Sequence, residues 1–158
     1  MNTYKILLVG ESGVGKTSFI KRQQNGSFES HYTPTVGRNI TTIVQPTSSG
    51  QNMLLKFWDM AGQETLHKPQ LYNDFHAIVA LFDVTNKMTT KCIDDLLGEI
   101  NRDTPLLVLG NKVDVPCKRA RVKILDNFNT MYMDFSVKSC WNVPQSLDWL
   151  VEKVTIQR

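Results

Sequence analysis

The chain has 158 residues, 41% of them apolar and 21% charged, with a formal net charge of +3. That length and composition suit one domain with a buried core, and no apolar run approaches the 18 residues that would suggest a membrane span. The mild basic excess makes no case for nucleic acid. The run Lys118, Arg119, Arg121, Lys123 is broken by Ala120 and Val122 and reads as a solvated face.

In chain order, Tyr4–Val9 (YKILLV) predicts a buried strand. It runs into Gly10-Glu11-Ser12-Gly13-Val14-Gly15-Lys16-Thr17, which fits the phosphate-binding loop pattern GxxxxGK[ST]. The glycines let backbone N–H groups turn inward around phosphate oxygens, and a helix starting at Lys16 points its positive end at them. Lys16 is expected to reach the β- and γ-phosphates, and the Thr17 hydroxyl to ligate Mg²⁺. That helix is predicted over Lys16–Gln24 and stops near Gly26.

The segment Phe28–Gly37 lies between this helix and the next strand. Thr35 can add a second hydroxyl to Mg²⁺ when a γ-phosphate is present. Phe28 can pack edge-on against a base, although without the other motifs ordinary core is the favoured reading for Phe28 and Tyr32. Asn39–Val44 (NITTIV) predicts a strand, Gln45–Gln51 a hairpin turn, and Met53–Trp58 the return strand. That strand ends in Trp58-Asp59-Met60-Ala61-Gly62-Gln63-Glu64. An Asp at this place can hold Mg²⁺, Gly62 can offer its N–H to a γ-phosphate, and Gln63 can orient an attacking water. The motif is weak alone and gains weight from following a phosphate loop by about 40 residues.

Ala77–Phe82 (AIVALF) predicts another buried strand, and Ile93, Leu96, Leu97 and Ile100 fall on one stripe of an amphipathic helix. Leu106–Leu109 is a short buried strand followed by Gly110-Asn111-Lys112-Val113-Asp114. The carboxylate of Asp114 can accept from N1–H and the N2 amine of guanine, a donor pair that adenine lacks. Asn111 can tie this loop to the phosphate loop, and the stem of Lys112 can cover one face of a base. Met131–Phe135 is the sixth strand. After it come Ser136-Val137-Lys138, where the Val137 N–H could meet guanine O6. Val143, Leu147, Leu150, Val151 and Val154 mark a final helix. Alternating strands and helices imply an α/β fold with a mostly parallel six-stranded sheet and helices on both faces. Ligands in such sheets sit at the carboxyl ends of the strands.

Cys92, Cys117 and Cys140 are odd in number and widely spaced, as expected of free thiols in a reducing compartment. His31, His67 and His76 show no ligand spacing, so zinc is not expected. No signal peptide, N-terminal acylation glycine or C-terminal prenylation cysteine is visible, and no intrinsic membrane anchor is expected.

Taken together, and in this order, the motifs resemble the Ras superfamily of small GTPases, a P-loop NTPase fold, over about residues 4 to 154. Ran is the most similar branch, through KRQQNGSFESHY (Lys21–Tyr32), FDVTNKMTTK (Phe82–Lys91), GNKVDVPCKRARVK (Gly110–Lys123) and LDWLVEKV (Leu147–Val154); Rab is second. The resemblance implies one G domain over residues 1–158 that binds GTP or GDP with Mg²⁺. Ser12, Gly13, Val14, Gly15, Lys16, Thr17 and Ser18 would hold the phosphates, with Gly62 at the γ-phosphate and Phe28, Tyr32 and Thr35 in the first switch. Asn111, Lys112, Asp114, Ser136, Val137 and Lys138 would hold the base. Thr17, Thr35 and Asp59 would serve Mg²⁺, and Gln63 with Lys16 would serve catalysis.

The resemblance further implies a monomeric cytoplasmic or nuclear switch in intracellular transport. Its partners would be a GTPase-activating protein, an exchange factor and effectors. Met60 stands where the family usually has Thr, Val137 where it usually has Ala, and the stretch from Thr65 to His76 is shorter than in relatives. Val137 is tolerable if only its backbone acts; Met60 and the shortened stretch keep a GTP-binding scaffold with little or no hydrolysis as the alternative. An ATP-using P-loop enzyme is a third reading, which Asp114 argues against.

Overall fold

A computed structural model describes the chain except residues 12, 26–29, 36–37, 61–68, 124–128 and 157–158; at 24–25, 30–35, 38–39, 60 and 69–71 it describes the backbone alone. The strands are β1 (Asn2–Val9), β2 (Ser30–Thr35), β3 (Arg38–Pro46), β4 (Asn52–Met60), β5 (Ala77–Asp83), β6 (Leu106–Asn111) and β7 (Thr130–Asp134). The helices are α1 (Lys16–Asn25), α2 (Lys91–Glu99) and α3 (Val143–Ile156), with 3₁₀ turns at Pro69–Asp74 and Lys87–Thr90. All strands form one sheet in the order β2-β3-β4-β1-β5-β6-β7. β4, β1, β5, β6 and β7 are mutually parallel, and β2 and β3 add antiparallel at one side.

The period-two geometry of a strand divides the core between the two faces of the sheet. Ile6 and Leu8 of β1 pack with Phe19 and Ile20 of α1 and with Trp149, Leu150 and Val154 of α3. Leu7 and Val9 point the other way, to Ile93 and Leu96 of α2 and to Tyr72 and Phe75 around the first 3₁₀ turn. β5 and β6 are buried along their whole length, as central parallel strands covered on both sides must be. Where α1 meets α3, the buried Gln23 amide donates to Val143 O at 3.1 Å and to Ser146 Oγ at 3.2 Å.

The six strands expected from the sequence are all present, and a seventh, β2, extends the sheet at its edge. Its sequence, SHYTPT, contains Pro34, which cannot donate to a ladder. An outermost strand tolerates this, because it needs partners on one side only. The predicted stripe on α2 is correct: Ile93 and Leu96 are buried, and Leu97 and Ile100 pack partly buried against the same cluster. On α3 the stripe is broader than predicted, because Trp149 is also buried.

Because the parallel strands share one direction, the segments after Val9, Met60, Asp83, Asn111 and Asp134 leave the sheet at the same end. The order reverses around β1, whose neighbours are β4 and β5. A crevice at such a switch point is where an α/β sheet presents its ligand. No described helix is long and apolar enough to cross a membrane.

Candidate functional site

The loop after β1 is shaped by two left-handed glycines, Gly13 at φ +83° and Gly15 at φ +111°. A Cβ on Gly13 would meet open space, so this position needs glycine only for its backbone angle. A Cβ on Gly15 would collide with the side-chain amide of Asn111, so there both the angle and the space demand glycine. α1 starts directly behind the loop, and Phe19 N–H donates to Gly15 O at 2.8 Å. No acidic residue occupies the first turn of α1, which leaves its positive end available to an anion.

Lys16 Nζ lies 3.3 Å from Asp59 Oδ1, with both side chains largely buried. The phosphate-loop lysine and the carboxylate at the end of β4 therefore converge. Thr17 and Ser18 are exposed on the first turn of α1. Thr35 and Tyr32 lie on β2, with only their backbone described; Ser12, Phe28, Gly62 and Gln63 lie outside the described residues.

The ligands expected for a metal are the Thr17 hydroxyl and the Asp59 carboxylate, with the Thr35 hydroxyl as a third. These are hard oxygen ligands, few in number, which suits Mg²⁺, an ion that completes its shell with phosphate and water. Among the described residues no cluster of three or more His, Cys, Asp or Glu could hold a metal, so a soft-ligand site of the zinc kind is not seen there.

At the carboxyl end of β6, Asn111 is buried and spans two loops. Its Nδ2 donates to Val14 O at 2.9 Å, and its Oδ1 accepts from Val137 N–H at 3.3 Å. Lys112 follows with φ +70°, and its ammonium donates to Gly13 O at 3.1 Å and to Asp83 Oδ2 at 2.7 Å. Asp114 accepts at Oδ1 from Ser136 Oγ at 2.8 Å, and Ser136 Oγ also accepts from Ser139 N–H at 3.0 Å. This fixes the Asp114 carboxylate while the residue stays exposed. Val137 is half-buried and Lys138 exposed. The segments holding Gly13, Val14, Gly15, Lys16, Asn111, Lys112, Asp114, Ser136 and Val137 are thus knitted together by side-chain bonds.

Two contributors were missed in the sequence. Arg22 of α1 donates from Nε and Nη2 to Val137 O at 3.2 and 3.0 Å, and so holds the last of these loops. Nothing in the spacing of α1 marks it, because its partner is 115 residues away. Asp83 closes β5, and a charge ending an apolar run was a signal that could have been read. Burial pushes the Asp83 carboxyl upward, but bonds from Lys112 and from the Thr85 hydroxyl and N–H outweigh it and hold the carboxyl below its ordinary range.

The geometry sets a glycine-shaped loop at the start of α1, the Lys16–Asp59 pair beside it, and, tied to that loop through Asn111, a segment whose Asp114 carboxylate is held by Ser136. A model of the Ras family matches residues 5–156, nearly the whole chain and every segment of this site. The chain belongs to the Ras family of small GTP-binding switch proteins.

Proposed function

We propose that this chain is one G domain that cycles between GTP and GDP by slow, Mg²⁺-dependent hydrolysis, and that it switches a step of intracellular transport. The observation that supports this best is the tie from Asn111 to both Val14 and Val137, which joins a base-reading loop to a phosphate loop in one site. In this reading Asp114 accepts from the guanine edge and the stem of Lys112 lies along the base. The amides of the loop from Ser12 to Gly15, with Lys16, Thr17 and Ser18, hold the phosphates. Val137 N–H, with Ser136 and Lys138 beside it, completes the base pocket, and Phe28 and Tyr32 flank the nucleotide.

Thr17, Thr35 and Asp59 would hold Mg²⁺, which when bound neutralises charge on the phosphate oxygens. Lys16 and the loop amides stabilise charge that develops at the γ-phosphate. Gln63 orients the attacking water, whose oxygen bonds the γ-phosphorus as the bond from that phosphorus to the β–γ bridging oxygen breaks; GDP leaves with the bridging oxygen, and water's two protons end on the released phosphate as H₂PO₄⁻, which passes one to solvent according to pH. Loss of that phosphate removes the contacts of Thr35 and Gly62 and loosens both switches. A GTPase-activating protein would speed the reaction, an exchange factor would reload the site, and effectors would read the switches. The Ran-like stretches between Lys21 and Val154 favour a Ran-like over a Rab-like route.

Single-turnover hydrolysis of GTP tests the catalytic part. Gln63→Leu is expected to slow it by about tenfold or more while leaving GTP binding intact. An unchanged rate would instead support the second reading, a GTP-binding scaffold, which Met60 at the position after Asp59 favours. Retention of nuclear-transport receptors on the GTP-loaded Gln63→Leu protein distinguishes the Ran-like route from the Rab-like one, in which membrane-traffic effectors are retained.

A further inference from the structure

Lys112 is bonded at two points by groups that come from different parts of the chain. Strand pairing sets Asp83 opposite Asn111, so the carboxyl end of β5 lies beside the residue that follows β6. Asp83 Oδ2 then meets Lys112 Nζ at 2.7 Å, and the same ammonium reaches Gly13 O at 3.1 Å. Among the described residues Asp83 is the one carboxylate that pairs with Lys112.

The anchor is itself held. Asp83 Oδ1 accepts from Thr85 N–H at 2.8 Å and from Thr85 Oγ at 2.6 Å, and Asp83 N–H donates to Thr89 Oγ at 2.9 Å. Asp83 is almost fully buried, so its charge needs a partner. Lys112 has a left-handed backbone, φ +70°, which is unfavourable for a residue with a Cβ and persists where surrounding contacts impose it. The two bonds of its ammonium are contacts of that kind. They also pin the carbonyl of Gly13, whose peptide forms part of the phosphate cradle.

We infer that Asp83 is a positioning residue of the nucleotide site, which slows nucleotide release by gripping Lys112 against the phosphate loop. The inference rests on the guanine-nucleotide reading given above. Asp83 touches no part of the nucleotide in this account and acts through Lys112. Breaking the ion pair frees the Lys112 stem from the base and the Gly13 peptide from the phosphates together, so one lost contact loosens both ends of the ligand.

The test is the release rate of a fluorescent GDP analogue, chased with excess GDP, in a double-mutant cycle. Asp83→Asn keeps the shape and an acceptor for Thr85 but sets an amide where Lys112 needs an oxygen. It is expected to release the analogue about 10-fold faster, the effect of losing one charge-assisted hydrogen bond. In a Lys112→Met background the same change is expected to add less than about twofold, because the coupling has already gone. A merely structural role for Asp83 would speed release equally in both backgrounds, and that result overturns the inference, as does an unchanged rate with Asp83→Asn alone. Asp83→Glu keeps the charge and is expected to stay within about threefold of wild type, given its extra methylene; a rate as fast as that of Asp83→Asn overturns the ion-pair mechanism. If the wild-type protein fails to bind the analogue, the guanine-nucleotide reading itself falls, which is a different result from binding that Asp83→Asn leaves unaltered.

Discussion

Asp114→Asn is expected to lower GTP affinity by about 10³-fold and to raise affinity for xanthosine triphosphate, both read by displacement of a fluorescent nucleotide. The carboxylate is held by Ser136 Oγ at 2.8 Å, so its direction is set before any base arrives. Guanine offers two donors on one edge, N1–H and the N2 amine, and a carboxylate can accept both. An asparagine in the same place can accept from one and sets its own N–H₂ against the other. Xanthine carries a carbonyl where guanine has the amine, so the new donor finds an acceptor. The amide oxygen of Asn can still accept from Ser136, and the fold is expected to be unaffected. Equal loss of both triphosphates would mean that Asp114 supports the loop and does not read the base.

Gly15→Ala is expected to cost roughly 3 kcal/mol of stability, a fall in melting temperature of about 6–12 °C for a chain of this size, and to abolish nucleotide binding. Two penalties coincide at this residue. Its φ of +111° is strained for alanine, and the new methyl would collide with the Asn111 amide. Asn111 has little room to retreat, because its two ends are bonded to Val14 O and Val137 N–H. Moving it detaches the base loop from the phosphate loop. Gly13→Ala is the control, since φ there is +83° but the surroundings are open. Its expected cost is about 1 kcal/mol, the backbone penalty alone. Equal melting temperatures for the two variants would show that the contact with Asn111 carries no weight.

What could be read from the sequence was what depends on neighbours along the chain. The buried run Ala77–Phe82 and the stripe Ile93, Leu96, Leu97, Ile100 report their own burial through composition and period, and the structure places them accordingly. The glycines and Lys16 of the phosphate loop were legible because one short segment builds that cradle. The strand β2 was not legible. Its Pro34 and the polar residues around it read as loop, and only pairing with β3, as in Thr33 opposite Ile40, makes it a strand. Arg22 and Asp83 escaped for a related reason. Their roles exist only once the fold brings Val137 and Lys112 to them. Asn111, by contrast, was predicted to tie two loops together, and its bonds do so at the phosphate loop and also at the loop after β7.

The thiols also follow burial rather than motif. Cys92 is buried on α2, and burial first, with the nearby charge of Glu11 second, pushes its pKa up to about 11, so it is a core residue rather than a reactive one. Cys117 and Cys140 are free and exposed.

In the proposed function one site holds a guanine nucleotide, with phosphates on the loop after β1 and the base on the loop after β6. Competition for a bound fluorescent GDP analogue tests it most directly. GTP is expected to displace the analogue at near-stoichiometric concentration, while ATP fails even at roughly 10³-fold excess, because adenine leaves the Asp114 carboxylate without its donor pair. Displacement by ATP at the concentration at which GTP displaces it would mean that the site does not select guanine.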